Sequence, residues 1–238
     1  MDTVISGSDT WLDGSDMNGI VIFGAGGRAG RAVTAEAVER GHRVTAVVRN
    51  PDKYRDLTAD GVHVVRGDIT DARAISTIAR DHDAAVHAVS PFSGPEQGFA
   101  DLDPEFFVKA ADALLAGLAD VRVPRLVAIG LFANLKDASE RPVMDDPSAF
   151  PPAIRPFAVA HTAGLDRLRA ADTAIDWLML TPPALLDAAG PRTGGYRIGG
   201  ETVPESASAH LSYADLAVAV IDEIETPRHH RTRVSVFT

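Results

Sequence analysis

The sequence predicts an α/β fold built on a doubly wound parallel sheet, and three observations predict it. A short apolar run, Ile20-Val21-Ile22-Phe23, feeds directly into the glycine cluster Gly24-Ala25-Gly26-Gly27-Arg28-Ala29-Gly30. A helical pattern follows over about 28–40, with Val33, Ala37 and Val38 on one stripe and Gly41 as its stop. Beyond it, short apolar runs alternate with helical ones along most of the chain, the pattern of a parallel sheet covered on both faces.

Two spacings overlap in the glycine cluster. Gly24, Gly26 and Ala29 fit G-x-G-x-x-G/A, while Gly24, Gly27 and Gly30 fit G-x-x-G-x-x-G. A strand before and a helix after supply the context such a motif needs. Backbone amides and the positive end of the helix dipole favour an anion there, and glycines let the backbone close on phosphates. The cluster therefore reads as the seat of a dinucleotide pyrophosphate in a Rossmann-type sheet. A strand–helix turn that binds nothing is the plainer alternative, and the density of glycines speaks against it.

The second strand, over 42–48, ends at Arg49-Asn50-Pro51. An NAD site would place Asp or Glu there to accept from the ribose 2′-OH. Arg49 stands there instead, and its planar fork suits a 2′-phosphate, so NADP(H) is the expected cofactor. Arg28, inside the turn, offers a second cation. A solvated arginine at a strand end is the alternative for Arg49.

The remaining elements follow in order. A third strand spans 62–65, then Gly67-Asp68-Ile69-Thr70-Asp71 leads into a helix over about 72–80 with Asp71 as N-cap. A fourth strand over 84–89 ends at Ser90-Pro91. A helix over about 104–119 carries Phe107, Ala111, Leu114 and Leu118 on one face, and a fifth strand spans 125–129. A Pro-rich loop over 141–156 precedes a helix over about 157–171. A sixth strand over 176–180 ends in Thr181-Pro182-Pro183. Later come a short strand within 194–200, a helix opened by Ser212 with Asp215 in a capping-box spacing, and a last strand over 233–237. Ligands in open α/β sheets sit beyond the carboxyl ends of the strands. The loops after strands four to six, with residues 184–238, are thus expected to form a small C-terminal substrate lobe. Residues 1–16, rich in Ser, Gly, Asp and Thr, read as a disordered leader without the features of a secretory signal, and 17–238 as a single domain.

Composition narrows the function classes. The chain has 238 residues, 45% hydrophobic and 24% charged, as expected for a soluble globular protein. It contains no cysteine, which excludes disulfides, cysteine-ligated metals and thiol nucleophiles and fits a reducing cytoplasm. A formal net charge of −10 disfavours binding to a nucleic-acid backbone. No apolar run reaches transmembrane length, so no membrane partner is expected.

From about Asn18 to its end the chain resembles the atypical short-chain dehydrogenase/reductases, specifically the NmrA-like NAD(P)-binding group of NADH-flavin reductase type. The matching pieces are the glycine turn, Val48-Arg49-Asn50-Pro51, Gly67-Asp68-Ile69-Thr70-Asp71, Asp176-Trp177, Pro182-Pro183 and Ser212-Tyr213-Ala214-Asp215-Leu216-Ala217. The resemblance implies that Asp68 and Ile69 flank the adenine. It also implies that Ala88, Val89 and Ser90 lie along the nicotinamide ribose, with Pro182 and Pro183 near the nicotinamide.

One departure from that family carries chemical weight. The Tyr-x-x-x-Lys pair normal to short-chain dehydrogenases is absent; the three tyrosines are Tyr54, Tyr196 and Tyr213, and none has Lys four residues on. Phe157 takes the Tyr place and His161 the Lys place, and Phe cannot donate a proton. The helper Ser after strand five is missing too, since that segment reads Gly130-Leu131-Phe132-Ala133-Asn134. His161 is the acid/base candidate; a hydrogen bond to the nicotinamide ribose, or a surface helix histidine, are the alternatives. His87 sits in a buried strand pattern and reads as structural. His229-His230 lacks a ligand set, so no metal is expected. Hydride transfer to a conjugated acceptor needs mainly positioning. The expected activity is NADPH-dependent reduction of a flavin, quinone or related aromatic acceptor, including an aromatic natural product, in an apolar pocket of Leu131, Phe132, Phe157 and Leu185. The alternative is a non-catalytic NADP(H)-binding redox sensor acting through a protein partner. A homodimer is left open.

Overall fold

The computed structural model describes residues 19–91, 102–204 and 209–238. The leader over 1–16 lies outside the described residues. The strands are β1 (Gly19–Phe23), β2 (Arg43–Val48), β3 (Val62–Arg66), β4 (Ala84–His87), β5 (Arg125–Ile129), β6 (Asp176–Thr181), β7 (Leu185–Asp187), β8 (Arg197–Ile198), β9 (His210–Ser212) and β10 (Thr232–Phe237). The α-helices are α1 (Arg28–Glu39), α2 (Ala72–Ile78), α3 (Phe106–Asp120), α4 (Arg155–Ala170) and α5 (Tyr213–Glu225).

The main sheet has the order β3-β2-β1-β4-β5-β6-β10-β8. Every pair in it is parallel except β10 with β8. The order reverses between β1 and β4, the switch point at which doubly wound sheets open a crevice for a ligand. All five residues of β1 are buried, because a central strand flanked on both faces by helices has no solvent side.

Each face of the sheet has its own core. Ile20, Ile22, Val86, Leu178 and Val234 pack under α1 and α5 with Val33, Leu216 and Val220. Val21, Phe23, Ala85, Leu126 and Trp177 pack under α2, α3 and α4 with Ile75, Leu114 and Leu165. The alternation of side chains along each strand divides the two sets.

Several elements differ from the sequence reading, each for a local reason. β4 ends at His87 rather than 89, because only the Ala88 amide continues toward β1, donating to the Phe23 carbonyl. α4 starts at Arg155, before Phe157, and Pro156 is tolerated within its first turn, where no intrahelical donor is required. The strand within 194–200 is only Arg197–Ile198 and pairs antiparallel at the sheet edge. β7 and β9 form a separate two-stranded sheet, too short for alternation to be legible. Ser212 does cap α5, its Oγ accepting from the Asp215 amide. Asp215 does not complete the box; its carboxylate accepts from the Thr193 amide and hydroxyl and from the Gly194 amide.

The α3–α4 contact sets the wall beside the carboxyl ends of β4 and β5. It depends on Gly164, where a Cβ would lie 2.6 Å from Phe107 Cβ and 3.0 Å from its carbonyl oxygen. Gly164→Ala is expected to cost about 1–3 kcal/mol of stability, read from urea unfolding. A variant as stable as the parent would contradict this packing.

Candidate functional site

The glycine turn is shaped by close backbone approach. Gly24 has φ +86°, and a Cβ on it would lie 2.6 Å from the Ala88 carbonyl carbon and 2.8 Å from the Val89 nitrogen. A Cβ on Gly30 would lie 2.2 Å from the Gly24 oxygen, so α1 can begin this close to β1 only with glycine there. Ala25 is fully buried, and the Gly24 amide donates to Val47 O at 3.1 Å. Gly27 stands at the N-cap of α1 without a side-chain cap, and no acid occupies the first helical turn. The amides of Arg28, Ala29 and Gly30 have no hydrogen-bond partner among the described residues, which leaves them available to an anion. A pyrophosphate fits this cradle chemically: open amides, a helix N-terminus and no carboxylate in the first turn of α1.

Tyr54 is a functional candidate that the sequence reading missed. A Cβ on Gly26 would lie 2.5 Å from its ring, so the phenol covers the glycine turn. The Asn50 side chain accepts from the Asp52 amide and starts the 3-10 helix over Pro51–Leu57 that carries Tyr54 there. The Arg31 guanidinium lies 5.7 Å from the Tyr54 ring centroid. The Asn50-Pro51 turn signal was visible in the sequence; the tertiary reach of the ring was not.

Arg49 is exposed at the end of β2, and no described residue pairs with its guanidinium. Arg28 is exposed and stacks on Tyr213 of α5, 5.5 Å from the ring centroid. Asp68 is exposed, with one carboxylate oxygen accepting from the Thr70 amide and hydroxyl, while Ile69 is buried below it. Ala88 and Val89 are partly buried and Ser90 is exposed, all just past β4, and Pro182 is buried just past β6.

The wall formed by β5 and α4 is apolar. Phe157 packs with Phe107, Ala160 and Leu131. Its ring meets Phe107 edge-on at 5.7 Å between centroids. Leu185, assigned to this pocket from sequence, is instead 61% exposed on β7. His161 is buried rather than a surface helix residue. Its Nδ1 lies 3.1 Å from Asn134 Nδ2, and the neutral ring accepts from that amide. Burial pushes the His161 pKa down to about 4, with the Arg233 charge adding to the shift, against hydrogen bonding that includes the Ile129 backbone. Burial likewise pushes His87 down to about 3, with His161 adding to the shift. At neutral pH both imidazoles are uncharged, which removes the imidazolium donor expected of His161.

The His229-His230 pair lies in the exposed loop after α5, where each ring nevertheless meets a carboxylate. His229 Nδ1 lies 2.6 Å from Glu223 and His230 Nδ1 lies 2.8 Å from Asp176, the two carboxylates that flank the buried Arg125 guanidinium. Among the described residues no cluster could hold a metal ion. None of the described helices is long and apolar enough to cross a membrane.

The depressed imidazoles have a consequence for stability. The unfolded chain binds protons near the ordinary histidine pKa, while the native state resists them until about pH 4 or below. Stability is therefore fully present above about pH 6.5 and lost as pH falls. The urea midpoint is expected to drop between pH 7 and pH 5, and His161→Gln to flatten that drop. Identical profiles for variant and parent would contradict the neutral, buried His161.

A model of the NAD(P)H-binding family matches residues 24–227. An uncharacterized Bacillus subtilis protein, YwnB, is 35% identical over 223 residues, covering 92% of this chain and 98% of that one. A solved Burkholderia pseudomallei structure, named a "putative exported protein", superposes with a TM-score of 0.78 at 32% identity, over 93% of this chain and 100% of that one. A Streptococcus pneumoniae structure, named a "putative NADH-flavin reductase", superposes with a TM-score of 0.76 at 27% identity, over 92% and 99% of the two chains.

Proposed function

We propose, from the premise that this chain belongs to the NAD(P)H-binding family of atypical short-chain dehydrogenase/reductases, that it is an NADPH-dependent reductase of a flavin, quinone or related aromatic acceptor. The observation that carries this reading is the apolar wall, where Phe157 and Leu131 pack with Phe107 and the neighbouring His161 is held neutral. The Streptococcus pneumoniae relative's name points to the same acceptor class. On this reading residues 17–238 form one unit, with 184–238 supplying the substrate lobe.

The chain's residues take these parts. The turn from Gly24 to Gly30 holds the pyrophosphate through open amides, and Arg49 holds the 2′-phosphate that distinguishes NADP from NAD. Asp68 and Ile69 flank the adenine. Ala88, Val89 and Ser90 line the nicotinamide ribose, and Pro182 lies near the ring. Bound NADPH supplies the hydride. Phe157 and Leu131 hold an aromatic acceptor by apolar contact and exclude water from that side. The acceptor would gain two electrons with the hydride, and the balancing proton would come from solvent, since none of the described residues of this wall is placed to give it. Conjugated acceptors allow this because their reduced forms are readily protonated by water.

A second reading, a redox sensor that binds NADP(H) and signals through a protein partner, is favoured by the absence of a Tyr-x-x-x-Lys pair. Turnover separates the two. Near-ultraviolet absorbance of NADPH is followed with the protein and with FMN, FAD and small quinones in turn. Protein-dependent loss of absorbance with one of them is expected. Saturable NADPH binding without loss under any acceptor would replace the reductase by the sensor. Arg49→Ala is expected to weaken NADPH binding by about tenfold while leaving NADH within about twofold. Equal losses for both would contradict the 2′-phosphate role.

A further inference from the structure

His87 was read from sequence as a structural residue of a buried strand, and the proposed reaction gives it no part. Its surroundings place it one residue from the peptide that meets the glycine turn. The Val89 amide donates to His87 Nδ1 at 3.2 Å. The ring therefore accepts at Nδ1 and carries its proton on Nε2. The Ala88–Val89 peptide is the group against which Gly24 packs without a side chain. Because a trans peptide points its N–H and C=O in opposite directions, turning the Val89 N–H toward His87 turns the Ala88 carbonyl away from it, toward Gly24.

The imidazole itself is held from the other side. Its ring lies 6.3 Å from the Phe107 centroid, and Phe107 lies 4.6 Å from the His161 ring. His87 and His161 both line a cavity of about 20 Å³ between β4, β5, α3 and α4. His161 continues the chain of contacts to Asn134, in the turn after β5. The two walls of the crevice, the turn after β4 and the turn after β5, are thus joined through His87, Phe107 and His161.

We infer that His87 is a positioning residue: by accepting the Val89 amide it fixes the orientation of the Ala88–Val89 peptide and so shapes the surface offered to the nicotinamide ribose. The part concerning the ribose rests on the cofactor reading above; the peptide orientation does not. His87→Phe keeps ring volume and removes the acceptor. His87→Asn restores it, because the amide oxygen stands the same number of bonds from Cα as Nδ1.

Three measurements decide the matter. In cofactor-free wild-type protein, ¹⁵N-resolved NMR of the His87 ring is expected to show the Nε2–H tautomer; an Nδ1–H tautomer would overturn the inference without any variant. Hydrogen exchange of the Val89 amide is expected to be about fivefold faster in His87→Phe and near wild type in His87→Asn. NADPH binding, followed by fluorescence, is expected to weaken about fivefold in His87→Phe and to stay within about twofold in His87→Asn. Wild-type exchange in His87→Phe, or a His87→Asn protein that behaves like it, overturns the positioning role. Altered exchange with unaltered NADPH affinity overturns the link to the ribose. A wild-type protein that binds no NADPH overturns the cofactor reading, and the exchange data still decide the peptide.

Discussion

Two backbones meet where the strand order reverses, and the rest of the site depends on how closely they meet. Gly24 after β1 and the Ala88–Val89 peptide after β4 approach to a distance that a Cβ would close. Gly30 repeats the requirement one turn into α1, against the Gly24 carbonyl. Once those approaches are made, α1 must start directly over the end of β1, and its first amides must face the crevice. The direction of those open amides is therefore set by packing of glycine backbone, before any charged side chain is considered.

A second set of contacts holds the other end of α1. Glu36, buried on α1, takes a bidentate pair from Arg192 and a further bond from Arg40. The Arg192 hydrogen bond leads the effects that hold the Glu36 carboxyl below its ordinary pKa, against the cost of burial. Arg40 reaches across to Asp222 and Glu225 of α5. The Ser212 hydroxyl donates to Pro191 O, and Asp215 grips Thr193 and Gly194. The segment over 191–194 is thereby strapped across α1 and α5. Breaking one partner would strand a buried charge, at a cost larger than the pair's own net worth. The strap ties the C-terminal part of the chain to the helix that carries the glycine turn.

The parts of this architecture visible in the sequence were those with local signatures. The close glycine turn between β1 and α1, the Asp71 and Ser212 caps and the β5 limits at Arg125 and Ile129 each depend on a few adjacent residues, and each reappears in the structure. What could not be read were meetings between distant segments. Tyr54 over Gly26, Asn134 beside His161, and Asp215 turned to Thr193 instead of its own helix end are products of tertiary contact. His161 shows the difference most plainly. Its helical position was legible, but its burial, which decides its protonation state, comes from α3 packing over it through Gly164 and Phe107.

The crevice thus joins a turn of open backbone amides to an apolar wall in which His87 and His161 are neutral at pH 7. That combination suits a cofactor doing the hard chemistry while the protein orients and shields it. The most direct test of the central claim is amide chemical-shift mapping by NMR as NADPH is titrated into the protein. The account predicts that the largest changes fall on the glycine turn from Gly24 to Gly30, on Arg49 and on Ala88 to Ser90. Saturable binding that leaves those amides unmoved and perturbs another surface would contradict it.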